Sequence, residues 1–527
     1  MIVLLTIGLR FTGLTFDSLW LDEAYQTVVE SYGNELPALT DARGETFLFN
    51  PGKPASIANV LSNFRKVDPL CPPLFAVTMN RWLTAFGGSD FSLRALAAAI
   101  SAASVLVIYW LGSVLIGRNV AIMACLIQAI SPFDIAYAQE ARMYSLVVLT
   151  AALSCGAFIL LLSRRQRLST LFFALIYIVS TWALINTHYT GLFIWAFELA
   201  AGLCLALFRR DWLLLSWLLI ANLLIAALCS PWYSMFQQAA SIRTASFYVA
   251  REATWWWPLW GVAVRLPLNW VFFLAGKRVM TFAGPIYFFA LAILALGFQD
   301  IFKCAWEWLK TNCSLLARAG KTSPVGVDAR ADELNYVSLL LAGWCIVPAL
   351  GVWLVDVIES HRLIEITRYL VGTAPAVYLV AGIGARRALR WGKLGYCLIG
   401  LYAAFAFANN AYAHVVHQRE DWRKAAYLVG QVCSRDEVLL VSQYYDIVCL
   451  DRYLSRPLRQ IGISPAMGSE KIDHLVNDEI RPRPDSFWIL TAQEGDRAFA
   501  MIPQNFKVTT QFDLGHALHL RRYVRSR

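Results

Sequence analysis

Long apolar runs separated by short polar breaks make up most of this 527-residue chain. The runs have the length that an α-helix needs to cross a bilayer, and the breaks carry most of the charged side chains. The pattern predicts a polytopic α-helical membrane protein of about eleven spans, at 1–16, 92–116, 119–135, 144–162, 168–186, 190–208, 212–230, 279–299, 335–356, 369–385 and 394–412.

Two apolar segments allow more than one interpretation. Residues 72–87 are short and contain Asn80 and Arg81, so we interpret them as a juxtamembrane helix. The Trp-rich residues 255–276 contain Arg265 and can be a span. We interpret this second segment as external or re-entrant, because the later basic loops then stay on the cytoplasmic side.

The last part of the chain has a different pattern. From about residue 420 the apolar runs shorten and the charge density rises. Residues 437–441 and 487–490 have the pattern of buried strands, with helical stretches near 443–454 and 494–503, which predicts a small α/β domain. We therefore expect three regions: 1–210 as a catalytic membrane module with an external loop at 17–91, 211–412 as further helices with an external segment at 231–278, and 413–527 as the extracytoplasmic α/β domain.

Composition and charge set the class of protein and its orientation. The chain is 58% hydrophobic and only 16% charged, which excludes an ordinary soluble protein. Its net charge of +10 lies largely in short basic loops, so it needs no nucleic-acid partner. Basic loops on the inside predict a cytoplasmic N-terminus and an external C-terminus, in the cell inner (plasma) membrane. We leave open whether the true N-terminus lies upstream of residue 1 and whether Cys433 pairs with Cys449.

The first candidate for chemistry is Asp22 with Glu23, directly after the first apolar segment and between the aromatic residues Trp20 and Tyr25. Charge at the membrane boundary is costly, so it usually serves catalysis or a specific partner. A carboxylate there can act as a general base, and we favour Asp22 for that role, with Glu23 orienting or structural. The alternative is the acidic start of a surface helix.

Three further polar motifs fall on the same predicted face. Glu140, Arg142 and Tyr144 lie in a polar break, where a guanidinium can hold a phosphate; the alternative is a surface ion pair of Glu140 with Arg142. His188 and Tyr189 can bind a sugar or phosphate, or anchor the chain at the interface.

The last motif contains Arg368 and Tyr369, at the outer start of a predicted span. A basic residue there runs against the positive-inside trend, and binding an anionic lipid headgroup would explain its position. Snorkelling of the side chain to the interface would explain it equally well.

In chain order, the motifs LWLDEAY, PPL with FGGSDFSLR, SPFDIAYAQEARMY, NTHYTGLF, TRYL and EDWRKAA resemble those of the GT-C fold glycosyltransferases. The bacterial branch related to protein O-mannosyltransferases and to lipid A aminoarabinose transferase is the most similar. The resemblance implies transfer of a sugar from a polyprenyl-phosphate donor on the non-cytoplasmic face. It implies that Asp22 is the essential carboxylate, that Glu140 and Arg142 form the second-loop motif, and that Arg368 is the late basic residue.

One departure concerns Cys71, because many relatives have His before the two prolines. Some relatives use a divalent metal and others do not. No cofactor is certain here, and Asp22 and Glu140 are the only candidate metal ligands that the sequence offers.

The expected activity is a single displacement that inverts the anomeric centre, with a lipid, glycan or protein as acceptor and membrane lipids around the catalyst. The alternatives are a transporter or lipid flippase, or a transferase of a lipid-linked oligosaccharide or phosphosugar. The transporter is less favoured, since apart from Glu198 the spans are almost free of acids. The sugar, the acceptor and the oligomeric state stay open.

Overall fold

A computed structural model describes most of the chain. The described residues are 1–33, 53–67, 71–162, 167–243, 257–276, 284–317, 329–359, 362–434, 436–464, 467–480, 484–492, 495–516 and 518–526. They divide into two compact units. The first contains Met1–Thr12, Asp68–Phe75 and Arg94–Tyr412, and the second contains Gly13–Val67, Ala76–Leu93 and Ala413–Arg527.

The structure is mainly helical. Its α-helices in the described residues are Ile2–Phe11, Leu21–Ala24, Ile57–Val67, Leu74–Phe86, Asp90–Leu115, Arg118–Ile130, Pro132–Ala138, Tyr144–Leu162, Arg167–Thr187, Gly191–Phe208, Trp212–Cys229, Tyr233–Arg243, Trp257–Trp260, Leu266–Ala275, Pro285–Ala317, Ala329–Glu359, Ala374–Ala388, Lys393–Ala413, Trp422–Val432, Ile447–Asp451, Gly468–His474 and Gly495–Ala500. Short 3₁₀ segments are Ser230–Trp232, Leu363–Glu365, Thr367–Thr373, Leu389–Trp391 and Tyr444–Asp446, and π segments are Tyr25–Ser31, Gly261–Arg265 and Leu475–Glu479.

The protein is a multi-pass membrane protein. Within the described ranges, nine helices are long and apolar enough to cross a bilayer, or ten if a pair bent by 60° counts as one span. The sequence predicted about eleven. Two predicted spans are lost, because Ile2–Phe11 has only 10 helical residues and Ala374–Ala388 only 15, and Trp257–Ala275 is added to the count. The predicted juxtamembrane segment is the 13-residue helix Leu74–Phe86.

The segment interpreted as external or re-entrant, residues 255–276, can also be a span by length and composition. Trp257–Ala275 is continuous enough in helix, and apolar enough, to meet the criterion for a membrane span. Arg265 does not prevent this, because its guanidinium donates to the carbonyl of Glu365 at 2.5 Å and lies 5.4 Å from the ring centroid of Phe272. A paired arginine costs far less in an apolar setting than an unpaired one, and sequence inspection does not reveal the pairing.

The bent helix pair in the first unit has an identifiable cause. Arg118–Ile130 ends at Ser131, and Pro132 begins the short helix Pro132–Ala138. Proline cannot donate a backbone hydrogen bond and is favoured at the first helical position. Ser131 caps the new helix by accepting the N–H of Asp134 at 3.2 Å. The short helix then leads directly into the polar break that contains Glu140 and Arg142.

A buried ion pair holds this short helix against the first helix of the chain. Arg10 is fully buried, pairs with Asp134, and donates to Ser101 Oγ at 2.7 Å. A buried charge is tolerated when it is paired and hydrogen-bonded. At the other end, Gln139 Nε2 donates to the carbonyl oxygens of Leu9 at 3.2 Å and Thr12 at 2.8 Å. Both ends of the short helix are therefore fixed.

The C-terminal part of the second unit contains a mixed sheet with short helices, which confirms the small α/β domain that the sequence predicted. In the described residues its strands are β1 Val438–Ser442, β2 Arg459–Ile463, β3 Ser486–Thr491, β4 Phe506–Gly515 and β5 Leu518–Arg525. Their order is β2-β1-β3-β5-β4, where β1 runs parallel to β2 and β3, and β5 runs antiparallel to β3 and β4. Buried apolar side chains such as Leu440, Phe487 and Ile489 form its core. Cys433 and Cys449 are both buried free thiols.

Candidate functional site

Two arginines in the first unit lie against the same aromatic ring. Tyr144 begins the helix Tyr144–Leu162 and is buried. The guanidinium carbon of Arg142 lies 5.9 Å from its ring centroid, and that of Arg368 also lies 5.9 Å away. Positions 142 and 368 are far apart in sequence, so the fold alone brings the two cations together. Two guanidiniums around one ring suit a multiply charged anion such as a phosphate.

His188 extends this group toward Tyr369. The ring centroid of His188 is 6.3 Å from that of Tyr144 and 5.7 Å from that of Tyr369. Its Nδ1 accepts the backbone N–H of Thr190 at 3.2 Å, so a neutral His188 carries its proton on Nε2. We call Arg142, Tyr144, His188, Arg368 and Tyr369 the arginine–aromatic cluster.

Each member of the arginine–aromatic cluster lies at a helix boundary. Arg142 and Tyr144 mark the end of the polar break, and His188 follows the helix Arg167–Thr187. Arg368 and Tyr369 belong to the 3₁₀ segment Thr367–Thr373. Helix ends leave backbone groups unsatisfied, so polar residues gather there in an otherwise apolar chain. This is why hydropathy breaks in the sequence point to the same residues.

Glu140 and Tyr189 take different positions. Glu140 is buried, and its carbonyl accepts the N–H of Arg142 at 2.7 Å, which makes a tight turn between them. Both side chains are buried, so neither lies at the surface, where the alternative had placed them. Tyr189 is also buried and packs edge-to-face on Phe236, with the ring centroids 5.5 Å apart.

Asp22 and Glu23 belong to the second unit, on the four-residue helix Leu21–Ala24. Glu23 is fully buried, and its Oε2 accepts the backbone N–H of Trp20 at 3.4 Å. Its carbonyl accepts the hydroxyl of Thr27 at 2.8 Å. Glu23 therefore caps the start of its helix, while Asp22 is only half-buried.

The second unit adds buried acids that sequence reasoning missed. Asp446 is buried, and this burial, together with the negative charge of Glu420, raises the pKa of Asp446 to about 8. Burial raises the pKa of the Cys449 thiol well above its ordinary value, and the carboxylates of Asp446, Glu420, Glu23 and Asp22 act in the same direction. Carboxylates from the first loop and from the C-terminal region thus raise the pKa of the same buried thiol. Asp446 has no distinguishing sequence pattern, because it follows two tyrosines in an ordinary strand–helix connection.

Asp446 makes the stability of the second unit depend on pH. An exposed Asp loses its proton near pH 4, whereas folded Asp446 keeps it until about pH 8. The unfolded state therefore binds fewer protons between these values, and stability falls as pH rises from about 4 to about 8. Asp446→Asn removes this penalty. We expect the variant to have a higher thermal midpoint in detergent than the wild type at pH 8 and the same midpoint near pH 4. The expected gain in the free energy of unfolding at pH 8 is on the order of 2–4 kcal/mol.

Asp451 contributes the same pH dependence to the wild type and to the Asp446→Asn variant. Burial raises its pKa to about 8 as well, so it contributes to the pH dependence of both proteins with the same sign. The difference between variant and wild type isolates Asp446. A difference that is constant from pH 4 to pH 8 would contradict the prediction.

No group of three or more His, Cys, Asp or Glu side chains among the described residues is placed to hold a metal ion. Asp22 and Glu140, the two candidate ligands, belong to different units. We therefore derive no step through a metal.

Comparison with known proteins gives a match at the level of structure. No family model and no curated protein matches the sequence. The structure of ArnT from Cupriavidus metallidurans in the apo state matches with a TM-score of 0.56 at 12% identity, covering 99% of this chain and 97% of that chain. The same protein bound to undecaprenyl phosphate matches with a TM-score of 0.54 at 13% identity, with the same coverage. The chain has the GT-C fold.

A second GT-C fold protein is also similar. The oligosaccharyltransferase from Archaeoglobus fulgidus in the apo form matches with a TM-score of 0.53 at 12% identity, covering 95% of this chain and 70% of that chain. The GT-C fold with a small C-terminal α/β domain confirms the fold class expected from the sequence. Identity this low carries the fold alone, so the activity must be argued from the residues of this chain.

Proposed function

We propose that this protein is a membrane glycosyltransferase that moves a sugar from a polyprenyl-phosphate donor to an acceptor hydroxyl on the non-cytoplasmic face. The arginine–aromatic cluster carries the proposal, because it places two guanidiniums around one ring in a chain with the GT-C fold. A similar structure, that of ArnT, contains undecaprenyl phosphate. A lipid-linked donor also explains a catalyst built into the membrane, since a polyprenyl chain cannot leave the bilayer.

The chemistry asks for two functions. The acceptor hydroxyl is a poor nucleophile until a base takes its proton, and we assign that base to Asp22. As the acceptor oxygen bonds to the anomeric carbon, the bond from that carbon to the phosphate oxygen breaks and its electron pair stays on the lipid phosphate. The configuration inverts in this single displacement. We assign Arg142 and Arg368 to the growing negative charge on the leaving phosphate.

The remaining assignments complete the proposal. His188, Tyr189 and the tyrosines at 144 and 369 contact the sugar or the phosphate, and Glu140 shapes the turn that presents Arg142 or contacts the sugar. The N-terminus is cytoplasmic and the 413–527 domain is extracytoplasmic. In this proposal residues 1–210 form the catalytic membrane module, 211–412 form further membrane helices, and 413–527 form the extracytoplasmic domain.

The test is a transfer assay in membranes that contain the full-length protein. Undecaprenyl- and dolichyl-phosphate carriers, each bearing one of a panel of radiolabelled hexoses and pentoses, are supplied in turn. We expect incorporation from a small subset of donors, lost in Arg142→Gln/Arg368→Gln and reduced by excess undecaprenyl phosphate. Folded wild-type protein that transfers no sugar from any donor would overturn the proposal.

A second candidate is transfer of a whole lipid-linked oligosaccharide, which the similarity to the Archaeoglobus fulgidus oligosaccharyltransferase favours. The same membranes answer this question when they receive a labelled lipid-linked oligosaccharide and an acceptor peptide. Incorporation from that donor, without incorporation from any monosaccharide donor, would replace the first candidate with the second.

A further inference from the structure

The backbone that leads into Asp22 is held by side chains from the C-terminal region of the same unit. Arg423 Nη1 donates to the carbonyl of Thr15 at 2.7 Å and to that of Phe16 at 3.3 Å. Its Nη2 donates to the carbonyl of Asp17 at 3.2 Å. A single guanidinium therefore binds three consecutive backbone carbonyls. Only the planar fork of arginine offers donors in this arrangement.

Ser18 and Trp20 continue the same contact. Ser18 Oγ donates to the carbonyl of Glu420 at 2.8 Å and accepts the N–H of Trp422 at 2.9 Å. The guanidinium carbon of Arg419 lies 3.9 Å from the ring centroid of Trp20, which is the geometry of a cation–π interaction. Residues 419–423 thus contact residues 15–20 along the whole segment, with the two segments in opposite chain order.

Tyr453 binds the residue between them. Its hydroxyl accepts the N–H of Leu19 at 2.8 Å and donates to Asp90 Oδ2 at 2.7 Å. Burial and the nearby Asp90 carboxylate raise the pKa of Tyr453, so the hydroxyl keeps the proton that it donates. The Tyr453 hydroxyl therefore connects the backbone N–H of Leu19 to the carboxylate of Asp90 through two hydrogen bonds.

Asp90 is the anchor for the whole arrangement. It is paired with Arg423 Nη2 at 2.6 Å and with Arg452 Nη2 at 2.7 Å. Arg452 also donates to the carbonyl of Gly88 at 2.7 Å. The carboxylate thus joins the two arginines and Tyr453 into one hydrogen-bonded network, which ties the C-terminal region to the first loop inside the second unit.

We propose that Tyr453, Arg423 and Asp90 are positioning residues that hold the helix of Asp22 in the orientation needed for transfer. The proposal rests on the assignment of Asp22 as the base in the proposed function. The helix Leu21–Ala24 continues directly into the π segment Tyr25–Ser31, and the network holds the backbone immediately before it, so that Asp22 lies in the first turn after the held segment. The network therefore fixes the start of the helix that carries the proposed catalytic carboxylate.

The test is Tyr453→Phe in the full-length protein, assayed with the donor that the wild type uses. The variant keeps the ring, which lies 5.3 Å from the Arg423 guanidinium carbon, and removes only the hydroxyl. A misplacement of about 1 Å in a catalytic group can cost about 10²-fold in rate. We expect kcat to fall about 10- to 100-fold, with an unchanged KM for the donor and unchanged binding of radiolabelled undecaprenyl phosphate.

Tyr427→Phe is the matched control. Tyr427 is an exposed tyrosine of the helix Trp422–Val432 in the same unit, and its change should leave kcat and KM at wild-type values. If Tyr453→Phe does not accumulate as folded protein, Arg423→Lys replaces it, because lysine keeps the charge but cannot bind three carbonyls. We expect the same loss in kcat with the same unchanged KM.

The outcomes separate this proposal from the proposed function. Normal kcat in both Tyr453→Phe and Arg423→Lys, with Asp22→Asn inactive, would overturn the positioning role and leave the transferase standing. A higher KM for the donor together with a lower thermal midpoint would also overturn the positioning role, because general destabilisation of the protein gives that result. Absence of transfer by the wild type with every donor would instead remove the proposed function.

Discussion

Replacing Asp22 with Asn is expected to reduce sugar transfer by about 10³-fold or more and to leave the protein folded. An amide has nearly the size of a carboxylate, but it cannot take the proton of the acceptor hydroxyl. General-base catalysis contributes typically about 10²–10⁴-fold, so its loss should dominate kcat. The measurement is initial-rate transfer from the best donor, beside thermal unfolding and binding of undecaprenyl phosphate. We expect both of the latter to match the wild type.

Glu23→Gln is the matched control for the neighbouring carboxylate. Glu23 is buried and caps its helix through the N–H of Trp20, and glutamine still offers an oxygen for that hydrogen bond. We expect activity within about tenfold of the wild type, since the cap orients the helix but does not take the proton. Near-normal turnover in Asp22→Asn, or a larger loss in Glu23→Gln, would contradict the assignment of the base.

Much of the candidate site is predictable because its residues interrupt the hydropathy pattern. Arg142, His188 and Arg368 each lie where an apolar run ends, and polar groups at helix ends are costly unless they have partners. The sequence therefore indicates which residues are candidates for the site. It does not indicate that Arg142 and Arg368 lie on the same ring, since helix packing determines that contact.

The network around Asp90 shows what sequence reasoning misses. Its hydrogen bonds join Arg423 and Tyr453 to backbone groups of residues 15–19. Every residue has such backbone groups, so the sequence does not show which of them a side chain binds. Asp90 itself follows a glycine-rich turn and has the appearance of an ordinary helix start. The motif EDWRKAA is visible in the chain, but its contact with residues 15–20 depends on the fold.

The interpretation of one apolar segment was limited for a related reason. Residues 255–276, which contain Arg265, were interpreted as external or re-entrant because the later basic loops then stay on the cytoplasmic side. The structure gives Arg265 a carbonyl partner and an aromatic neighbour, which lowers the cost of placing it there. Hydropathy counts a charge at its unpaired cost, so it does not show that a charged side chain inside an apolar segment has a partner.

Removing the two guanidiniums of the arginine–aromatic cluster is the second prediction with a large effect. In Arg142→Gln and Arg368→Gln we expect kcat to fall about 10²- to 10³-fold each, the size seen when one donor to a developing charge is lost. The physical reason is that negative charge grows on the leaving phosphate as the glycosidic bond breaks. A neutral amide stabilises that charge far less than a guanidinium does. The measurement is single-turnover transfer at saturating donor.

Because Arg142 and Arg368 lie against the same ring, their effects should not be additive. We expect the double variant to lose less than the product of the two single losses, since groups that act on one charge are coupled. Arg142→Lys and Arg368→Lys should recover part of the rate, because lysine restores the charge without the planar fork.

Arg209→Gln is the matched control for these variants. The guanidinium carbon of Arg209 lies 4.6 Å from the ring centroid of Tyr336, so it also makes an arginine–tyrosine contact in the first unit, outside the arginine–aromatic cluster. Its change should leave kcat unaltered. Equal losses in Arg209→Gln and Arg142→Gln would mean that such contacts stabilise the membrane helices in general, and the phosphate would have to be held by other residues. A loss confined to Arg142 and Arg368 would instead tie these two guanidiniums to the chemical step, because both variants keep the aromatic rings around which a donor phosphate would lie.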